Sequence, residues 1–139
     1  MRIKFYFHQP VTLRNRGALK KFIQSIFKLE KVKAGDISYI FCSDDYLLNI
    51  NKEFLNHDYY TDIITFDLSD KISSSKIGEI YISIDRVREN AKLYKLAFTK
   101  ELHRVIFHGI LHLCGYKDKS AQEKNIIRAK EDFYLGKYL

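Results

Sequence analysis

The stretch His108-Gly109-Ile110-Leu111-His112-Leu113-Cys114-Gly115-Tyr116-Lys117-Asp118 decides how this chain is read. Two imidazoles stand four residues apart inside an apolar run, and a carboxylate follows six residues after the second. Positions i and i+4 of an α-helix share one face, one turn apart, so both rings can reach one point. Gly115 offers a left-handed cap that turns the chain back and carries Asp118 toward that point. Two imidazoles and a carboxylate are a known zinc donor set that keeps one position open to water. His108, His112 and Asp118 are therefore the expected ligands of one zinc ion per chain. A catalytic centre is expected rather than a structural one, which usually closes with four donors.

The neighbours of the two histidines strengthen this expectation. Val105, Ile106, Phe107, Ile110, Leu111 and Leu113 leave the helix almost without a polar face, as in a helix buried all round. A buried imidazole without a partner costs roughly 1–3 kcal/mol, so two of them one turn apart imply something that binds both. The competing reading is a pair of core histidines, each bonded to a carbonyl. Cys114 and His103 point away from the pair at about 100° of rotation per residue, and read as packing or surface groups. A zinc protease of the H-E-x-x-H type needs a glutamate after the first histidine. Gly109 stands there instead.

Outward from the histidines, Thr99 begins their helix and Ser120-Ala121-Gln122-Glu123 has the form of a capping box for a last helix through Ile126, Ile127 and Phe133. Asp118 then sits in a tight interhelical turn. Upstream, residues 3–8, Ile37 to Cys42, Thr61 to Asp67 and Gly78 to Ile84 read as four strands. The Ser-rich loop from Ser69 to Lys76 joins the last two as an antiparallel hairpin. Leu19, Phe22, Ile23, Ile26, Phe27 and Leu29 have helical spacing. Asp44 or Asp45 can cap a second helix with core positions Leu47, Leu48, Asn51, Phe54 and Leu55, and Asp85 a third through Val87, Ala91 and Tyr94. The expected fold class is α+β, a small mixed β-sheet of about four strands packed by about five helices. The metal site falls on the central His-bearing helix and its following turn.

With 139 residues and 46% hydrophobic content, the chain suits a single domain spanning residues 1–139. No apolar run approaches the roughly 20 residues that span a bilayer, and Met1 to His8 alternates like a strand rather than a signal peptide. Cys42 and Cys114 form no spaced motif and read as reduced thiols of a cytoplasmic protein without a membrane partner. The net charge of +7 is concentrated: residues 1–33 carry nine Lys/Arg against one acid, and the remainder fifteen bases against sixteen acids. Such asymmetry suits a polyanion-docking face or, alternatively, a solvated helix face.

The string His108-Gly-Ile-Leu-His112-Leu-Cys-Gly115-Tyr116 resembles the H-G-x-L-H-L-x-G-Y-D-H signature of the YbeY family, metal-dependent endoribonucleases of rRNA maturation. Leu55-Asn56, Thr61-Asp62-Ile63-Ile64-Thr65-Phe66 and Gly78-Glu79-Ile80-Tyr81-Ile82-Ser83 are similar to further family stretches, in the same order. The resemblance implies a single-strand endoribonuclease of rRNA maturation and ribosome quality control, acting on rRNA of the small subunit. It implies a metal-bound water as the attacking group; no general base is identified. Arg14, Arg16, Lys20, Lys21 and Lys28 would track the RNA backbone.

Two departures stand out. The family's third ligand is a histidine, and Asp118 occupies its place as a shorter, anionic and harder donor, which opens the site to divalent ions other than zinc. The family also has an arginine, thought to handle phosphate, where Tyr60 stands within Asn56-His57-Asp58-Tyr59-Tyr60-Thr61. That loss motivates an alternative, a metal-stabilised ribosome-assembly or RNA-binding factor with little catalysis. A hydrolase of a non-RNA substrate is a third reading, because three ligands do not specify what fills the open position.

Overall fold

Short segments rich in isoleucine and aromatic residues pair into one mixed sheet, each burying one row of side chains beneath helices. In this computed structural model, which describes residues 1–139 apart from Lys71 and Ser73, they are β1 (Ile3–Phe7), β2 (Ala34–Cys42), β3 (Ile63–Asp67) and β4 (Lys76–Ser83). Their spatial order is β1-β2-β4-β3. β2 runs parallel to both β1 and β4, whereas β3 is antiparallel to β4, with Ile63 opposite Ile82 and Asp67 opposite Gly78. The expected hairpin is therefore present, and β1 and β3 form the two edges. The Ser-rich tract expected as its loop includes Lys71 and Ser73, outside the described residues; β4 itself begins at Lys76, earlier than the alternation suggested.

Among the described residues there are five helices: α1 (Arg16–Leu29), α2 (Asp44–Leu55), α3 (Ile84–Leu93), α4 (Phe98–Leu113) and α5 (Ala121–Tyr138). The α+β class read from the sequence holds. None of the helices is long and apolar enough to cross a membrane. Serines, not the expected aspartates, cap α2 and α3: Ser43 Oγ accepts from Tyr46 N–H and Ser83 Oγ from Arg86 N–H. Asp44 and Asp85 instead tie the two helix starts together. Asp85 Oδ2 accepts from Asp44 N–H at 2.9 Å, and Asp44 Oδ1 accepts from Ser83 Oγ–H at 2.8 Å.

The core lies between the sheet and α1, α4 and α5. α4 is its axis. From Glu101 to Leu113 every residue is buried except His108 and His112. Two glycines let α4 lie close on the sheet. A Cβ on Gly109 would stand 2.9 Å from Ile80 Cδ1, and one on Gly78 would stand 2.9 Å from Leu113 Cδ1. Tyr39 pins the same helix by donating from its buried hydroxyl to the Ile106 carbonyl at 2.9 Å. Several residues expected in the core are not in it: Phe54, Leu55, Ile126 and Phe133 are exposed. Their faces of α2 and α5 turn outward.

His103 is a packing residue, as expected. Its Nδ1–H donates to the Thr99 carbonyl at 2.7 Å, and its ring meets Tyr138 and Phe107. Burial holds its pKa below the usual 6.5, against a smaller opposing effect of the Thr99 carbonyl. The unfolded chain therefore takes up a proton at this ring before the folded chain does, so its contribution to stability is lost as pH falls below about 6.5. His103→Gln is expected to lose less melting temperature than wild type between pH 7.5 and 5.5. Identical slopes for the two proteins in thermal scans would refute the assignment.

Candidate metal centre

The centre is assembled by one helix end and the turn that follows it. Gly115, at φ +105°, terminates α4 in a Schellman arrangement: Gly115 N–H donates to His112 O and Tyr116 N–H to Leu111 O, both at 3.0 Å. The next helix is started by Ser120, whose capping box with Glu123 is fully formed. These two local signals leave Asp118 no route but back toward the histidines. Asp118 Oδ2 lies 3.3 Å from both His108 Nε2 and His112 Nε2. The three donor atoms fall within 4.8 Å of one another. The edge of a tetrahedron with bonds of about 2.0 Å is also about 3.3 Å, which is the separation a zinc-sized ion requires of its donors.

The far side of each ring fixes which nitrogen faces inward. His112 Nδ1–H donates to the Tyr116 carbonyl at 2.8 Å. His108 Nδ1–H donates to Glu131 Oε2 at 2.6 Å, and the other oxygen of that carboxylate accepts from Arg104 Nη1 at 3.1 Å. Both Nε2 lone pairs therefore point at the Asp118 oxygen, and three acceptor atoms facing one another require positive charge between them. Burial alone would lower the His108 imidazolium. The hydrogen bond and charge of Glu131, with Asp118 and Asp62 behind it, more than offset this and raise its pKa. A divalent ion would supply that charge to both rings at once, and the donor set fits one.

Glu131 was not singled out in the sequence, although Ile127, Glu131 and Leu135 recur at helical spacing and are all buried. An acid in the middle of a buried stripe is the signal. Glu131 shares Arg104 with Asp132, at 2.9 Å from Arg104 Nη1. Asp62, also in the cavity wall, has its carboxyl pKa raised by burial, partly countered by His108. A second anchor holds the turn. Glu30, just past α1, accepts from the Tyr116 hydroxyl at 2.6 Å, from Lys130 Nζ at 3.3 Å and from the Tyr134 hydroxyl. It lowers its own pKa through these donors against the opposing effect of burial.

The histidines open into a cavity of about 800 Å³ between the α2 end and β3 on one side and α5 on the other. Arg14, Arg16, Lys20, Lys21 and Lys28 lie before or on α1, and none of them is among the described residues that line it. Two of them cover aromatic rings of the β1 edge, Arg16 over Phe7 at 4.5 Å and Lys20 over Phe5 at 5.5 Å. The cations that do line the cavity are Arg104, Lys119, Lys124 and Arg128. Tyr60 is half exposed; its hydroxyl donates to Asp45 and its ring lies 5.2 Å from the Arg86 guanidinium, which is itself held by Asp44.

A histidine pair on a buried helix, closed by a turn carboxylate beside a mixed four-stranded sheet, defines an α+β protein with a three-donor cluster at the floor of an open cleft. The family described as Endoribonuclease YbeY matches residues 8–139, and the chain belongs to that family. Endoribonuclease YbeY of Cytophaga hutchinsonii is 51% identical over 134 residues, covering 95% of this chain and 93% of that protein. The protein of the same name from Flavobacterium psychrophilum is 47% identical over 130 residues, covering 94% and 91%. Among solved structures, the solution structure of TM1509 from Thermotoga maritima aligns with a TM-score of 0.61 at 27% identity, covering 96% of this chain and 86% of that one.

Proposed function

We propose that this chain is a metal-dependent endoribonuclease, a single hydrolase domain over residues 1–139 that cleaves single-stranded RNA in rRNA maturation and ribosome quality control in the cytoplasm. The observation that carries the reading is the convergence of His108 Nε2, His112 Nε2 and Asp118 Oδ2 in the cleft of a chain from an endoribonuclease family. These three residues would hold the ion, zinc in the first instance, with the harder Asp118 donor also admitting manganese-like ions. Such an ion supplies Lewis-acid chemistry, polarising a phosphodiester and acidifying water. The chain's own residues do the rest. Glu131 and the Tyr116 carbonyl fix the two rings, and the buried face of α4 keeps solvent from all but the cleft side of the histidines.

The test is cleavage of small-subunit rRNA fragments by metal-loaded protein. Wild type is expected to cut, and His108→Ala to lose both cleavage and stoichiometric metal. Asp118→His is expected to keep the metal with a stronger preference for zinc over manganese. Unchanged cleavage by His108→Ala would overturn the reading. A second reading, an RNA-binding assembly factor stabilised by metal but with little turnover, is favoured by Tyr60 in place of the family arginine. It calls for a metal-dependent melting temperature and RNA affinity without cleavage.

A further inference from the structure

The two walls of the cleft differ in chemistry. One is cationic. Lys119 comes from the turn after α4, and Lys124 and Arg128 stand one turn apart on α5, so both reach the cavity from the same helix face. All three are exposed, and among the described residues neither lysine ammonium is in an ion pair. Arg128 makes one loose contact, 3.6 Å from its Nη1 to Glu131 Oε1. Of the acids that share the cavity, Glu131 and Glu101 act on Arg128, with Glu101 also 3.8 Å from Arg104, whereas none is paired with Lys119 or Lys124 among the described residues. Asp67 is paired with Lys76 at 3.1 Å, Glu131 with Arg104 and His108, and Asp118 with both histidines. Asp62 accepts from Asn90 Nδ2 at 3.4 Å.

The opposite wall is aromatic. Tyr59, in the segment after α2, and Tyr94, at the end of α3, both line the cavity while remaining 56% and 55% exposed. Tyr59 is fixed in place: one face of its ring stacks on His57 at 5.1 Å and 22°, and its hydroxyl is hydrogen-bonded to His57 Nδ1 at 2.9 Å. The exposed remainder of such a ring is a preformed stacking platform, since little side-chain freedom is left to lose when a flat partner settles on it.

We propose that single-stranded RNA crosses the cleft with a fixed sidedness, its phosphates along Lys119, Lys124 and Arg128 and its bases against Tyr59 and Tyr94. The inference rests on the endoribonuclease reading above and deepens it. A duplex cannot use this site, because its base faces are covered by their neighbours and only unpaired bases can stack on side chains. Sidedness would carry a phosphate, rather than a sugar or base, past the histidines. The role of backbone tracking moves with it from the basic α1 region to the α4–α5 turn.

The experiment measures binding of a fluorescent single-stranded RNA to the full-length, metal-loaded protein by anisotropy at several salt concentrations. Lys119→Glu and Lys124→Glu are each expected to weaken binding about tenfold and to reduce the salt slope by about 0.7, the value for one single-strand phosphate contact. Lys20→Glu and Lys21→Glu are expected to leave both unchanged. Tyr59→Ala is expected to lose roughly tenfold on ordinary RNA, Tyr59→Phe to retain the affinity, and Tyr59→Ala to match wild type on RNA with abasic sites. These sites are exposed, and equal melting temperatures confirm intact folds. If wild type binds and cuts RNA while Lys124→Glu and Tyr59→Ala behave like it, the cleft placement fails and the nuclease reading stands. If only the Lys20 and Lys21 variants weaken binding, the RNA runs along α1 and the placement is wrong. Absence of both binding and cleavage by wild type overturns the nuclease reading and the placement together.

Discussion

Glu131→Ala is expected to destabilise the protein by about 3 kcal/mol and to weaken metal binding by about 10- to 100-fold. The two effects have separate causes. Arg104 has a side chain only 9% exposed, and Glu131 is one of two acids that contact its Nη1. Removing one partner of a buried pair leaves an under-compensated charge, at a cost of about 3–5 kcal/mol. Asp132, at 2.9 Å and itself 60% exposed, remains and keeps the loss near the lower bound. The metal effect passes through His108. Without Oε2 at 2.6 Å, the Nδ1–H loses its acceptor, and the ring is free to choose the other tautomer and turn. Glu131→Gln retains only part of the two interactions. Its single carbonyl oxygen can accept from His108 or from Arg104, but its NH2 repels whichever donor is left. Denaturant unfolding reads the first effect and competition with a chromogenic chelator the second. Wild-type metal affinity in Glu131→Ala would show that the carboxylate does not orient the ring.

Gly109→Val is expected to damage the site from the opposite side. The position has no room: a Cβ there meets Ile80 Cδ1 at 2.9 Å, Ile80 Cγ2 at 3.0 Å and Ile63 Cδ1 at 3.2 Å. Alanine adds that one carbon, so Gly109→Ala already forces Ile80 to shift, and its gain in helix propensity of about 1 kcal/mol offsets part of the crowding. Valine places two more methyl groups against Ile80, which is fully buried, and overpacking of this kind costs about 1–3 kcal/mol. The strain is relieved by α4 lifting off β3 and β4, and His108 is the adjacent residue. Gly109→Val should therefore lose cleavage out of proportion to its loss of stability, while Gly109→Ala loses less of both. Thermal scans and cleavage rates on the same preparations decide it; equal activity in the two variants would mean that α4 does not move.

The site was legible where its signals are local. The four-residue spacing of His108 and His112, the cap at Gly115 and the box at Ser120 each depend on a few bonds within one turn of chain, and all formed as read. Glu131 was illegible because an acid on a helix is solvated by default, and its partners, Arg104 and His108, lie 27 and 23 residues away. The exposed Phe54 and Phe133 show a related limit. Periodicity tells which residues share a helix face, whereas only the packed fold decides which part of that face finds a partner. Charge counting locates a basic segment but not its distance from the cleft. Arg16 and Lys20 lie over rings of β1, one edge of the sheet, while the cleft opens beside β3, the other edge. The helix caps are ambiguous in sequence for a smaller reason: at Ser43-Asp44 and Ser83-Ile84-Asp85 a serine and an aspartate compete for the same role, and the aspartates instead bond across to the neighbouring helix start.

The anchor at Glu30 joins stretches 86 and 104 residues apart, binding Tyr116 and Tyr134 at once. Tyr116 in turn holds His112 by its carbonyl. The first helix, the fourth and the fifth thus close on the same turn, and no single one of them can open without loosening it. The first helix thereby acts on the candidate centre at a distance, through the turn that it helps to hold beside His112.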